Sequence, residues 1–563
     1  MFALGFLHRG TRSAIEFAGG AEFVDGYGPP LLRPRLHIDG KDRHLNDAPM
    51  VWERAAGWLP TFTWTSGDLV LRGTIFAPFG RDSDTAGAVY AISVENRSSA
   101  ALQLSVSLDG ELGHRQLRVR TPRPFEDAHR VSIVDRAVVL GGAAAAGMVT
   151  VAIGADTEDV RVEPRGAAGN GFSITRSVNV GAKDKAQLAF YIAAGPEQDG
   201  AIASMEVLRR RGWKDLLRDT RDALQTLEQA TGHESLDGII NRNLLFAYFY
   251  GVGRAVDDAH YYLVRSRAPW HGRGVTVRDW EALMWTLPAV QLADQALARE
   301  LLVRACELHG YAPGRGVHYF DGTMFAPGIC LEGIAGYAIA VDRYIRETND
   351  DQIVDEPIVA DTLYLSSDDL TDRRDRNVPL YSTEVLPGGA TAPFPFTLHG
   401  NAVVAQALDV LRRTLDEESA KTVEDPDAVR AALRRHFVAE HEGKQQFAAA
   451  TDLAGRYGFT DDPVGSALWL PLYEAVERTD STYRRTVKKG AEPGELAREC
   501  ARLLGPDSSS VLQWFRRAAL DGGYAAEVVS ADGQAKFNGG DASLSGLLAW
   551  TAWYAVHALG ERP

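Results

Sequence analysis

The sequence predicts an antiparallel β-sandwich followed by a ring of paired helices. Three observations carry this. Up to about residue 205 the apolar residues fall in short segments, several alternating with polar ones, separated by Gly, Asn, Asp or Ser. That is the pattern of half-buried strands. From about residue 206 the apolar spacing turns helical and stays so to the end. Long connections recur at roughly every second junction between helices, so they should gather on one face. At 563 residues the chain is too long for one ordinary core. We expect a β-sandwich domain over 1–205, a linker helix over 206–235 and a helical domain over 236–563.

In chain order, Met1 to Arg9 is apolar but short, with no basic region before it and no small-residue cleavage site, so it reads as a first strand rather than a leader. Leu69–Phe76, Ala88–Val94, Leu102–Leu108 and Ala186–Ile192 follow as strands. In the second of these Tyr90, Ile92 and Val94 should share the core face. Many short antiparallel strands with turn signals suggest a sandwich. Leu216, Leu217, Ala223, Leu224 and Leu227 mark the linker helix. Candidate helices then lie near 237–254, 279–291, 294–308, 329–347, 350–364, 400–415, 426–441, 463–479, 491–504, 509–520 and 542–559, with a twelfth expected near Ser481–Lys488. The long connections are 255–278, 309–328, 365–399, 442–462 and 521–541.

Composition narrows the partners. A formal net charge of −15 argues against nucleic acid or an anionic membrane, because phosphate binding needs a basic surface. No run of eighteen apolar residues exists, so no membrane span is expected. Cys306, Cys330 and Cys500 are odd in number and widely spaced. Neither a disulfide framework nor a zinc site is expected, and a reducing cytoplasm suits the chain better.

The chemistry should sit on the long loops. The first ends in Arg278-Asp279-Trp280, where a helix begins. Both charged groups can hold hydroxyl-rich ligands, although Asp279 can equally be a helix cap. Trp270 and Trp280 could offer flat aromatic faces. The second loop carries Asp321, which with Gly322 also signals a turn, and leads to Glu332 in the first turn of an apolar helix. The third holds Tyr381-Ser382-Thr383-Glu384 and runs on through Val385-Leu386-Pro387 and Pro393-Phe394-Pro395-Phe396 to His399. Such apolar surroundings should exclude water around Glu384 and favour a protonated carboxyl. The last loop carries Glu527. Two carboxylates on loops at one end of a helical scaffold are what inverting glycoside hydrolysis requires: one protonates the leaving oxygen and the other activates water.

These residues resemble the six-hairpin glycosidases of the amylo-alpha-1,6-glucosidase (glycogen-debranching) type, over about residues 235 to 560. Arg278-Asp279 with the following Leu287-Pro288 is similar to that family's Arg-Asp helix start. Glu332 stands where the family has an Asp ahead of an aromatic-rich helix, here Tyr337 to Asn349-Asp350. Thr383-Glu384, with Gly400-Asn401-Ala402 downstream, resembles its acid-bearing loop. Glu527 resembles its base, and Ser543 to Trp553 its closing helix. Family Asp residues at 332 and 384 are Glu here, and Leu544-Ser545 replaces a Trp-Ser.

The resemblance implies an (α/α)6 toroid behind the sandwich and an inverting, exo-acting glycoside hydrolase. Its substrate would be an oligosaccharide or glycoside, an α-glucoside by analogy. Glu384 would be the general acid and Glu527 the general base. Arg278, Asp279 and Glu332 would bind sugar, with Trp270 or Trp280 as a platform and Asp321 and His399 as further contacts. The chemistry needs no metal and no organic cofactor. Two other readings stand beside it: an inverting phosphorylase on the same fold, and a catalytically silent carbohydrate-binding protein.

Overall fold

The computed structural model of the protein describes residues 3–7, 15–18, 30–45, 48–82, 84–111, 130–144, 147–166, 171–254, 260–268, 271, 274, 276–487, 494–536 and 539–561. The chain divides into two compact units, 1–226 and 227–563.

The first unit is built from short alternating segments. A small hairpin pairs β1 (Ala3–Leu7) with β2 (Ile15–Ala18). The remaining strands are β3 (Arg33–Ile38), β4 (Lys41–Arg43), β5 (Met50–Ala55), β6 (Leu59–Ser66), β7 (Leu69–Phe76), β8 (Gly87–Asn96), β9 (Leu102–Glu111), β10 (Arg130–Val134), β11 (Ala137–Ala144), β12 (Gly147–Ala155), β13 (Val160–Arg165), β14 (Gly171–Val180) and β15 (Lys185–Gly195). They form an eight-stranded sheet, ordered β10-β11-β12-β15-β8-β7-β6-β5, and a five-stranded sheet, β13-β14-β9-β3-β4. The period of two sends Tyr90, Ile92 and Val94 of β8 into one core with Leu104, Val106 and Leu108 of β9 and Phe172 and Ile174 of β14. The opposite face of the larger sheet is also covered. There α1 (Gln198–Arg211) sets Met205 and Leu208 against Gly154 and Gly87.

The region expected to be one linker helix holds the end of α1, all of α2 (Trp213–Leu227) and the start of α3 (Glu234–Tyr250). The break between α1 and α2 falls at Gly212.

In the second unit, helices alternate between amphipathic and almost wholly buried. The buried ones are the composite α4 (Asp279–Glu281), π-turn Ala282–Thr286 and α5 (Leu287–Ala293), then α7 (Leu331–Thr348), α9 (Leu398–Thr414), a short 3-10 turn at Ala467–Trp469, α13 (Leu496–Arg502) and α15 (Ala542–His557). A helix apolar all round belongs inside. Each packs on the next in this order, and α15 returns to the π-turn and α5, closing an inner ring. The outer partners are α3, α6 (Gln295–Leu308), α8 (Pro357–Arg373), α11 (Pro426–Phe437), α12 (Ser481–Val487) and α14 (Ser508–Phe515), with the short α10 (Glu417–Ala420) beside α9. This is an (α/α)6 toroid preceded by antiparallel sheets. The helix expected near Ser481 is α12. Local signals set the ends: the Asp294 side chain caps α6 at Leu297 N (3.0 Å), Pro357 and Pro426 open α8 and α11, and Asn349 in the left-handed region closes α7.

Short strands stiffen the first two long loops: β16 (Val252–Arg254), β17 (Tyr261–Leu263), β18 (Thr276–Arg278), β19 (Val317–Tyr319) and β20 (Met324–Ala326). Among the described residues no helix is long and apolar enough to cross a membrane. All three cysteines are buried and free.

Candidate active site

Among the described residues, the connections from outer to inner helices lie on one end of the ring, and contacts link each to the next or to the helix that it opens. The first joins the second where β18 pairs with β19. The second joins the third where Ile329 O accepts from the N–H groups of Glu384 (2.9 Å) and Val385 (3.0 Å). The third meets the fourth where Phe396 pairs with Thr451. Asp461 of the fourth pairs with Arg498 of α13 at 3.0 Å, which ties it to the fifth. Leu496 N–H donates to Glu527 O at 3.0 Å, joining the fifth to the sixth. Ser266 Oγ donates to Gly540 O at 2.5 Å, so the sixth returns to the first. In such a closed circle the third and sixth loops stand opposite one another. Glu384 is on the third and Glu527 on the sixth.

A buried polar network lies beneath the first and sixth loops. Arg265, 8% exposed, puts Nη1 on both oxygens of Glu281 (2.9 and 2.7 Å) and Nη2 on Asp541 Oδ2 (2.6 Å). The same Nη2 lies 3.5 Å from Glu527 Oε1, whose side chain is 59% exposed. Asp541 also caps α15 through Leu544 N and has His271 Nε2 at 3.7 Å. Burial opposes its ionisation, but the Arg265 charge and then His271 hold it below the ordinary carboxylate value. A buried guanidinium between acids needs hydrogen-bond partners for its donors, and Nε, Nη1 and Nη2 of Arg265 all have them.

The network reaches the third loop. Arg278 Nη1 lies 3.7 Å from Glu281 Oε1 and donates to Pro387 O at 3.1 Å. Gly389, at φ +91°, leaves the space: a Cβ there would come within 2.5 Å of the Arg278 guanidinium. Arg278 therefore fastens the loop of Glu384 to the loop beside Glu527.

Glu384 differs from expectation. Its side chain is 54% exposed and pairs with Arg373 Nη1 at 3.1 Å, while its Oε2 accepts from Ile329 N at 3.3 Å. Val385, which follows it, packs on Gly328, and the carboxylate itself stays open to solvent. Asp279 is 2% exposed. It accepts from Gly314 N (2.8 Å) and Tyr337 Oη (3.0 Å), and burial pushes its carboxyl up to about 7. Trp280 is also 2% exposed, with His399 and Tyr473 against its ring, so it does not present a face at the rim. Asp321 is exposed and accepts from Thr323 N in its own turn. Trp270 lies outside the described residues.

Glu332 and His399 meet. Their Oε1 and Nδ1 are 2.9 Å apart, both side chains are nearly fully buried, and Cys330 Sγ donates to Glu332 Oε2 at 3.3 Å. His399 Nε2 has no partner. Asp462, from the fourth loop, was not singled out by the sequence. Its Oδ2 is buried without a hydrogen bond, burial pushes the carboxyl up, and its neighbours in charge include His399 and Glu332. The Arg265–Glu281–Asp541 unit was also missed, since its members are separated by 16 and 276 positions in the chain.

His271, Glu527 and Asp541 bring one ligand atom each within 4.8 Å of the others. Arg265 already supplies the positive charge there, so a metal would have to compete with a buried guanidinium.

No family profile and no curated protein matches this sequence. Solved structures do match its fold. A protein assigned as a kojibiose phosphorylase, from the human microbiome, is similar at TM-score 0.62 with 11% identity, over 98% of this chain and 82% of its own. A bacterial glucoamylase in complex with acarbose is similar at TM-score 0.64 with 11% identity, over 98% of this chain and 91% of its own. At this identity the likeness is one of fold: antiparallel sheets followed by an (α/α)6 helical domain.

Proposed function

We propose that this protein is an inverting, exo-acting glycoside hydrolase whose substrate is an α-glucoside. The opposed placement of Glu384 and Glu527 in the circle of loops carries the proposal. Both carboxylates are accessible, and inversion needs two acids on opposite sides of the scissile bond. Glu384 gives its proton to the leaving oxygen, and substrate must first displace Arg373 from it. Glu527 takes a proton from water, held in place by Arg265. Arg278 contacts the sugar, and the buried Glu332–His399 pair stands behind it with Asp462, whose Oδ2 is unpaired. Asp279 acts from beneath by fixing Gly314 and Tyr337.

The alternative favoured by a specific observation is phosphorolysis, since Arg265 and His271 lie beside Glu527 and one fold neighbour is assigned as a phosphorylase. The charge weighs against it. Arg265 faces three acids, Glu281, Asp541 and Glu527. A phosphate dianion would enter a site with surplus negative charge. The test is incubation with α-linked glucose disaccharides, with and without phosphate. Phosphate-independent release of glucose supports hydrolysis. Release of a sugar 1-phosphate only when phosphate is present favours the alternative, and sugar binding without turnover favours a silent protein.

A further inference from the structure

Beneath the site, on the axis of the inner ring, is a small cavity lined by Trp280, Met284, Trp285, Arg343, Trp469, Leu472, Tyr473, Leu547 and Trp550. Its free space suits a body of about one water's size. Four of these residues carry a buried N–H without a partner: Trp280 Nε1, Trp469 Nε1, Trp550 Nε1 and Arg343 Nη1. The three indoles are 2%, 4% and 2% exposed. No carboxylate, side-chain amide or histidine lines the space.

Arg343 is the unusual member. On α7 it follows Gly336, which faces Trp280 and Leu283, by seven residues, and so comes round to the same axial side. Its guanidinium stacks 4.6 Å over Trp550 and offers Nη2 to the weak acceptor Met284 Sδ at 3.8 Å. Among the described residues it forms no salt bridge. Glu347 lies one turn further along and is felt only through its field. Desolvation holds the guanidinium below its ordinary value. A buried charge without a counterion is costly, and buried donors without acceptors add to that cost.

Water answers this poorly. It can accept from two donors, fewer than the four unpartnered N–H groups, and among the lining side chains only the Tyr473 hydroxyl and the weak Met284 sulfur could take its own hydrogens. A small anion accepts from every side and neutralises Arg343. We propose that the cavity is an anion site that takes a halide, chloride in ordinary solution. It is independent of which glycoside the rim accepts. It lies one layer below His399, because Trp280 and Tyr473 line the cavity and also flank that ring.

The test uses the whole chain at constant ionic strength, replacing sodium gluconate stepwise by chloride or bromide. Tm should rise with halide and saturate. Trp469→Phe, which deletes one donor and keeps an aromatic ring, should move the midpoint to about tenfold higher halide, while general salt effects are shared by both proteins. Crystals grown in bromide should show an anomalous peak inside the cavity. The proposal is overturned if wild type and variant respond identically to halide, or if bromide peaks occur only elsewhere. Should the variant not fold, the bromide crystal alone decides.

Discussion

Four consecutive residues, Arg278 to Glu281, show what a sequence can and cannot say about a site. The sequence singled out Arg278, Asp279 and Trp280 as candidate site residues and passed over Glu281. Their directions were not legible, because a helix start turns each side chain about 100° from the last. Arg278 reaches the third loop, Asp279 points into the core, Trp280 faces His399, and Glu281 meets Arg265. Asp279 gives a prediction with a definite sign. Its usual value is 3.8 and the fold raises it to about 7, so the folded chain binds the proton more tightly than the unfolded one. Its contribution is therefore full below pH about 4 and is lost as pH rises towards 7, by up to about 1.4 kcal/mol per unit. Asp279→Asn should remove this slope. Denaturant unfolding across that range checks it, and an unchanged slope would mean that Asp279 is not the group. Arg265→Met should cost about 3–5 kcal/mol, because it leaves Glu281 and Asp541 buried without their partner; the same unfolding measurement reads it.

Among elements, the strands were read well because an alternating pattern in an antiparallel sheet has one solution: β7 spans Leu69–Phe76 as expected, and β8, β9 and β15 contain the other predicted segments. The long inner helices α7, α9 and α15 were legible from unbroken apolar runs. The helix expected over 463–479 shrinks to a 3-10 turn at Ala467–Trp469. Pro471 explains this, since it lacks an N–H and clashes with the preceding turn. The π-turn at Ala282–Thr286 had no sequence signal at all. It presses against α15 at Gly546, where a Cβ would fall 2.5 Å from Trp285 O. Gly546→Ala should therefore destabilise the protein by about 1–3 kcal/mol through overpacking. A change in denaturation midpoint without a change in slope is the expected result. No loss would mean that α15 can move away from the π-turn.

At the scale of the molecule, the order of sheets and then a helical ring was visible in the change of period near residue 206. The gathering of long loops on one face followed from their recurrence at alternate junctions. What the chain could not reveal was closure. Which loop touches which depends on contacts such as Leu496 with Glu527 and Arg265 with Asp541, made by residues far apart in sequence. Closure is also what sets the loop of Glu384 opposite the loop of Glu527, and the proposed mechanism requires both side chains. Glu384→Gln and Glu527→Gln should each lower kcat by about 10²–10⁴-fold while the variants remain folded. Near-normal turnover in both would remove the assignment.

The central claim is that two acids on opposed loops act on opposite faces of one sugar. Proton NMR of the first glucose released from an α-linked substrate tests it most directly, before the anomers equilibrate. Inversion predicts the β-anomer first, and its loss in both Gln variants. Release of the α-anomer first would contradict the account, because it would require both carboxylates to serve a retaining double displacement.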